Sequence, residues 1–499
     1  MNRKPVELRI ESVTKQPLLT DFPTTIFANS KRRWQASIRA SRALLNQQSL
    51  SGYAVIFQEI LPAEFLRSID PTARQRAYGH LPVFWAWLAQ ILEGNASCSR
   101  AVSLIQSWSR ASQLPVPSPD TSSYCKARSR VRLSFLKAIH RNVLAVLIRR
   151  TQEEDLWHGF ALKAIDGSSV QLMDTPANQK AYPQPSSQKE GCGFPTMGVV
   201  GLLNLSHGGW EAHKTCRWNR HDSRAASSLV QYLGGGDLLL ADRAFCSYEL
   251  IARCQQRGAQ VLMRLHQARH KALRWNKGKR INSHERLVIW QRPEWRPGSS
   301  LPRKLWEQLP ATLDLRLIKL NYENRSGEQG ELILVTTLTD DVRHDGIELA
   351  ELYARRWDIE VKLRDLKTTL GLEFLAVKSP RLAHKHLWMG IIACNLLRAL
   401  MQEAAKKEGR SIWQLSFKGT LDTLHSSHES FRRFADKPRL RKRAQEQLLN
   451  EMGSKVLHLR PFRQEPRAKK RRPKSYQFLT KPRGEFSEIP HRSTYRKPV

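Results

Sequence analysis

The chain reads as an α/β protein, a mixed five-stranded sheet with helices, interrupted by a mostly β insertion and preceded by an all-helical, basic region. Two patterns point there. Apolar residues recur at helical spacing through the first 150 positions, and from Leu156 onward they alternate or run continuously over strand lengths bounded by Gly, Pro and Asn. Charge is the third observation: 82 Lys and Arg stand against 45 Asp and Glu, a formal net charge of +37. Such an excess excludes an ordinary enzyme of neutral metabolites and fits a polyanionic partner such as nucleic acid, without implying sequence specificity.

In the amino-terminal region, Ser30–Asn46, Tyr53–Leu66, Leu81–Leu92 and Ser99–Ser112 are expected helices, broken at Asp70-Pro71, Gly94-Asn95 and the Pro-rich turn Leu114–Pro119. Thr121–Arg150 follows as one helix, with Lys126, Arg128, Arg130 and Arg132 crowded into its first turns. This is a face suited to phosphate. Residues 1–120 are therefore expected to form a DNA-binding helical domain and 121–155 a linker helix.

The core is expected over 156–265. Phe160–Met173 alternates apolar and polar residues around Asp166-Gly167-Ser168, and Thr196–Ser206 and Trp210–Trp218 read as two further strands. Ser223–Leu233 is a helix, Gly236–Asp242 a continuous apolar strand closing on an acid, Ser247–Arg257 a helix and Gln260–Leu265 a buried strand. Three strands, helix, strand, helix, strand is the order of a ribonuclease-H-like core. Residues 266–330, with Trp275, Trp290, Trp295 and Trp306 and β-like runs at Arg286–Trp290 and Leu313–Tyr322, read as the insertion.

Residues 331–410 return to the core. Gly330–Thr339 is a strand, Asp345–Leu370 a helix with no break after Gly346, and His384–Lys406 an apolar helix to pack on the sheet. At ~100° per residue, Tyr353, Arg356, Glu360 and Lys367 share a sector of roughly 60°, beside an apolar stripe of Leu352, Ile359, Leu363, Leu366 and Leu370. One carboxylate flanked by two cations and a phenol could hold a metal and a phosphodiester together. Residues 411–499 are basic and partly disordered in composition, with oligomerisation as a further role. Lys31–Arg42, Arg128–Arg132 and Arg460–Lys474 would add phosphate affinity that falls steeply with salt.

Seven cysteines lack paired ligand spacing, so reduced thiols and a cytosolic compartment are expected, and structural zinc is not. The first fifteen residues offer no apolar core for a signal peptide, and Leu81–Leu92 and Gly390–Met401 are too short to span a membrane. No membrane partner is expected.

The spacing of Tyr353, Arg356, Glu360 and Lys367 resembles the signature of the DDE transposases of the insertion-sequence type 4 family. Asp166-Gly167-Ser168 and Asp242-Arg243-Ala244-Phe245 are similar to that family's motifs around its first two aspartates, and Ser123–Arg128 resembles its linker helix. The resemblance implies a metal-binding catalytic triad of Asp166, Asp242 and Glu360, using Mg²⁺ with Mn²⁺ as a substitute and no ATP. The sequence carries no P-loop. It further implies DNA-backbone contacts from Tyr353, Arg356 and Lys367, with double-stranded DNA at terminal inverted repeats and at a target as partners. A homodimeric synaptic complex and a cytoplasmic, nucleoid-associated bacterial location follow from the same resemblance. Family members hydrolyse the ends and join the 3′-hydroxyl to target DNA, and several hold a flipped base on an aromatic residue of the insertion, for which Trp290 and Trp295 are candidates. Two alternatives stay open: a catalytically inactive DNA-end-binding protein, and a ribonuclease-H-like structure-specific nuclease.

Overall fold

Continuous apolar strands need cover on both faces, and they find it here in one ten-stranded sheet. The structure, a computed structural model, describes residues 51–70, 77–111, 113–218, 222–323, 329–434, 437–457 and 479–486. The expected Ser30–Asn46 helix and the basic clusters Lys31–Arg42 and Arg460–Lys474 lie outside the described residues.

The chain divides into two compact units, residues 1–135 with 422–451, and residues 136–421 with 452–499. The segment 411–499, expected as one carboxy-terminal region, is thus shared between them. In the first unit every described regular element is helical: Ser51–Ile56, Ala63–Ile69, His80–Leu92, Cys98–Ala111 and Thr121–Arg130, with most of Phe417–Arg433 and Pro438–Gly453. His80–Leu92 is apolar nearly all round and is buried from Val83 to Leu92, which makes it the central helix of this unit. Two expected helices are each divided. Tyr53–Leu66 breaks before Pro62, and Thr121–Arg150 breaks at Val131, whose extended backbone (φ −51°, ψ 126°) turns its side chain into the core at 1% exposure.

The second unit holds the sheet. Its strands are β1 (Ala161–Leu172), β2 (Thr196–Asn204), β3 (Trp210–Arg217), β4 (Asp237–Ala241), β5 (Gln260–Arg264), β6 (Lys279–Arg280), β7 (Glu285–Gln291), β8 (Thr312–Glu323), β9 (Gln329–Thr336) and β10 (Phe374–Leu375). The order is β3-β2-β1-β4-β5-β9-β8-β7-β6, with β10 on the end of β1. β1, β2 and β3 are antiparallel neighbours, whereas β4 and β5 run parallel to β1. That is the ribonuclease-H-like arrangement.

The five-stranded expectation is corrected by the insertion, which continues the sheet. β9 hydrogen-bonds antiparallel to β5, and β8 and β7 extend it. The physical cause is shared burial: Leu313, Leu315 and Leu317 of β8 enter the same core as Val261 and Met263 of β5, and β9 satisfies the backbone edge that β5 would otherwise expose.

Helix Pro380–Lys407 packs on the unit's sheet, started by the Ser379 hydroxyl accepting from the Leu382 amide and by Pro380 in its first turn. Asn395 fixes its position by accepting from the Trp210 backbone N–H at 2.8 Å and donating to the Trp210 carbonyl at 2.9 Å. Trp210 in turn requires Gly201 two positions along β2 from its partner Leu203, where an added Cβ would lie 2.5 Å from the indole ring.

Candidate active site

In parallel strands, residues in register project to the same face. β1 pairs with β4 as Ile165↔Ala241, and β4 with β5 as Ala241↔Met263. The next residue on each strand is Asp166, Asp242 and Arg264, so two acids and a cation stand level across three adjacent strands, midway along β1 and at the ends of β4 and β5, each ~4.8 Å from its neighbour. Asp166 Oδ1 accepts from the Gly167 amide at 2.8 Å. Burial pushes its carboxyl up to about 6 from the ordinary 3.8, against the Gly167 hydrogen bond and Arg356; the negative charges of Glu360 and Asp242 push the same way as burial.

The third acid arrives from the segment after β9. Asp345 starts helix Gly346–Ala354 by accepting from the Ile347 and Glu348 amides at 2.9 and 3.1 Å. The expected single helix is then divided: a 3₁₀ turn at Arg355–Trp357, an α-helix Asp358–Arg364 against β1, and a π-helical turn at Asp365–Thr369. Its apolar stripe is buried as expected, from Leu352 to Leu370. Irregular turns of this kind concentrate where backbone is fitted to a site.

Tyr353 and Arg356 are buried, Glu360 is exposed and Lys367 is half-buried. The Arg356 guanidinium faces the Glu360 carboxylate at 3.4 Å, stacks on Trp357 and leaves its Nε buried without a partner. Burial pushes the Tyr353 phenol up to about 12, so it remains a hydrogen-bond donor throughout the neutral range. Arg264 and Asp242 also act on that phenol, which ties the strand ends to the helix. Among the described residues no three His, Cys, Asp or Glu side chains are gathered tightly enough to hold an ion as they stand. The donor set nevertheless fits a hard cation: two carboxylates in electrostatic reach of Asp166, whose own carboxyl burial holds protonated above the usual range.

Beneath this face lies a network that periodicity gave no reason to expect. Asp365 accepts from Arg398 at 2.7 Å, and Lys362 lies 3.8 Å from the same carboxylate oxygen and 4.5 Å from the Trp413 ring centroid. Burial, with Arg398 adding repulsion, pulls the Lys362 ammonium down to about 7.

Residues 157–396 match the family model described as the transposase DDE domain. The transposase InsG of insertion sequence element IS4 from Escherichia coli (strain K12) is 26% identical over 300 residues, covering 59% of this chain and 64% of that protein. The core is thus similar to the DDE domain of insertion-sequence type 4 transposases. The putative transposase InsL of insertion sequence element IS186A, from the same strain, is 27% identical over 237 residues, or 41% of this chain and 63% of its own length. The chain therefore spans less than two thirds of the length of these relatives. A solved piggyBac transposase synaptic complex with hairpin DNA aligns at a TM-score of 0.41 with 10% identity, over 80% of this chain and 84% of that one.

Outside the three acids the other candidate residues divide. Arg130 and Arg132 are exposed, but Arg128 is 2% exposed, between the rings of Trp87 and Tyr124, and does not present the phosphate-facing surface expected of it. The crowded cations of that segment hide which one the helix turns inward. Trp290 is likewise a core residue at 2% exposure, edge-on to Tyr248, so an open base-holding surface is not where the sequence suggested. Trp295 is half-buried and donates its indole N–H to the Leu301 carbonyl at 3.0 Å. Arg264 and Asp365 were missed. An Arg closing the apolar run QVLMR was the available signal for the first, and Asp365 had none.

Proposed function

We propose that the chain is a transposase that binds the terminal inverted repeats of an insertion sequence, cleaves the DNA ends by phosphodiester hydrolysis and joins the 3′ ends to target DNA. The observation that carries this is the level placement of Asp166 and Asp242 on adjacent parallel strands, with Glu360 brought to them by a helix of a transposase DDE domain. Asp166, Asp242 and Glu360 would hold divalent cations of the Mg²⁺ or Mn²⁺ type, which when bound activate an attacking oxygen and stabilise a leaving one. Arg356 and Lys367 donate charge-assisted hydrogen bonds to the DNA backbone, and the protonated Tyr353 phenol adds a neutral one. Arg130 and Arg132, both exposed, extend phosphate contact outside the domain. Two copies on two paired ends would form the synaptic unit.

Strand transfer of a labelled duplex ending in the element's own repeat, in Mg²⁺, tests this by comparing the wild type with Glu360→Gln. Cleavage and joining are expected from the wild type and a loss of at least ~10³-fold from the variant, since the change keeps shape and removes a ligand charge. Cleavage without joining under every condition supports a nuclease instead, and binding without cleavage an inactive end-binding protein.

A further inference from the structure

The helical unit contains a cluster that the transposition chemistry does not use. Cys98 is the first residue of helix Cys98–Ala111 and Cys125 lies within Thr121–Arg130, 27 positions away, yet their Sγ atoms are 3.9 Å apart. Arg128 Nη2 lies 3.2 Å from the Cys98 sulfur and 3.7 Å from that of Cys125. The guanidinium's other contacts are the Gln90 amide oxygen at 3.5 Å and the rings of Trp87 and Tyr124 at 5.4 and 5.0 Å, and its Nε has no partner. Among the described residues no carboxylate meets this buried cation.

A guanidinium does not lose its proton, and a buried cation without a counter-charge is unstable. The anion within reach is a thiolate. The sulfur–sulfur hydrogen bond and burial push the Cys98 thiol up by more than Arg128 pulls it down, so Cys98 keeps its proton, and the sulfur left to answer the positive charge is that of Cys125, 3.7 Å from the guanidinium. That is a nucleophilic thiolate beside a thiol able to resolve its oxidised product. We propose that Cys98 and Cys125 form a reactive dithiol site that takes a hydroperoxide as a two-electron oxidant and closes to a disulfide.

The steps balance. The thiolate attacks one peroxide oxygen, the O–O bond breaks, and the departing oxygen takes up a proton, leaving a sulfenic acid. The second sulfur, deprotonated, attacks the sulfenic sulfur and displaces hydroxide, which leaves as water. With hydrogen peroxide, two thiols and one peroxide give one disulfide and two waters. Closing the pair brings the sulfurs from 3.9 Å to ~2.05 Å. Both cysteines are half-buried, within reach of a small oxidant. Cys246, Cys254 and Cys394 are buried, and burial pushes their thiols up to about 11, 12 and 11, so they serve as unreactive internal references.

The test treats the full chain with one equivalent of hydrogen peroxide, alkylates the remaining thiols and maps peptides by mass spectrometry. A Cys98–Cys125 disulfide is expected first, reversed by dithiothreitol and absent in Cys98→Ser and in Cys125→Ser. The pH midpoint for alkylation of the pair is expected below the ~8.5 of an ordinary thiol, and Arg128→Gln is expected to slow neutral-pH alkylation at least ~10-fold. Should that variant fail to fold, the wild-type midpoint still decides. Oxidation of Cys98 and Cys125 no faster than Cys192 and Cys216, links between chains in place of the internal one, or a midpoint at or above ~8.5 overturns the proposal.

Discussion

Asp166 is a carboxyl that the fold withdraws from water, and this has a measurable sign. Its proton is held to about 6 in the folded chain against 3.8 in an unfolded one, so the metal-free protein is favoured below pH 3.8 and loses that contribution as pH rises to about 6. The full swing is on the order of 3 kcal/mol before allowing for residual solvation. Asp166→Asn is therefore expected to raise the melting temperature of the metal-free protein at pH 7.5 and to leave it unchanged at pH 3.5, read by calorimetry at both pH values. A divalent cation competes with the same proton, so its affinity, followed by titration calorimetry, is expected to fall as pH drops below about 6.

At the scale of the element, the segment Gly346–Thr369 carries its polar face on three kinds of turn, and the buried Arg398–Asp365 pair fixes the last of them. Removing one partner leaves the other ion buried: Asp365→Ala is expected to destabilise by ~3–5 kcal/mol, seen in urea unfolding, and to lower cleavage through misplacement of Glu360 and Lys367. Gly201→Ala is expected to cost ~1–3 kcal/mol by the same measurement, because the new methyl meets the Trp210 ring. These elements were unequally legible. β1 through β5 and the apolar stripe of Leu352 to Leu370 follow from local periodicity, which is set by neighbours in the chain. The joining of β9 to β5 does not, since it depends on burial between residues some seventy positions apart. Arg128 and Lys362 look like solvated charges at the level of spacing; only packing reveals that Trp87, Tyr124 and Trp413 enclose them. The site was legible as three acids and a spacing, but not as the row that includes Arg264.

Over the whole molecule, acid is opposed by imidazoles rather than favoured by Asp166. In the sheet unit, burial keeps His140 neutral down to about 4 and His207 and His213 down to about 3, against an ordinary 6.5. A histidine with a lowered folded-state pKa adds stability above 6.5 that is lost as pH falls toward the folded value. His344, His384 and His428 are shifted the same way, and together these six imidazoles stand against raised carboxyls at Asp166, Glu211 and Asp358, so stability is expected to decline from pH 6.5 to 4, measured by urea midpoints across that range. The net charge of +37 acts at the same scale. Affinity for any duplex is expected to fall linearly on a log–log plot against salt, and Arg130→Ala with Arg132→Ala to reduce the slope by ~2, measured by fluorescence anisotropy.

The division of the chain also orders its synthesis. The helices after Ser51 emerge early, but residues 422–451, which complete their unit, follow only after all of 136–421 has been made. The Tyr53 and His428 rings meet tilted, with centroids 4.4 Å apart, within that unit, a contact between residues 375 positions apart. At ~5–20 residues per second the amino-terminal helices wait ~15–60 s for their partner. A product that terminates before residue 451 thus carries the strands of the sheet with an unfinished helical unit.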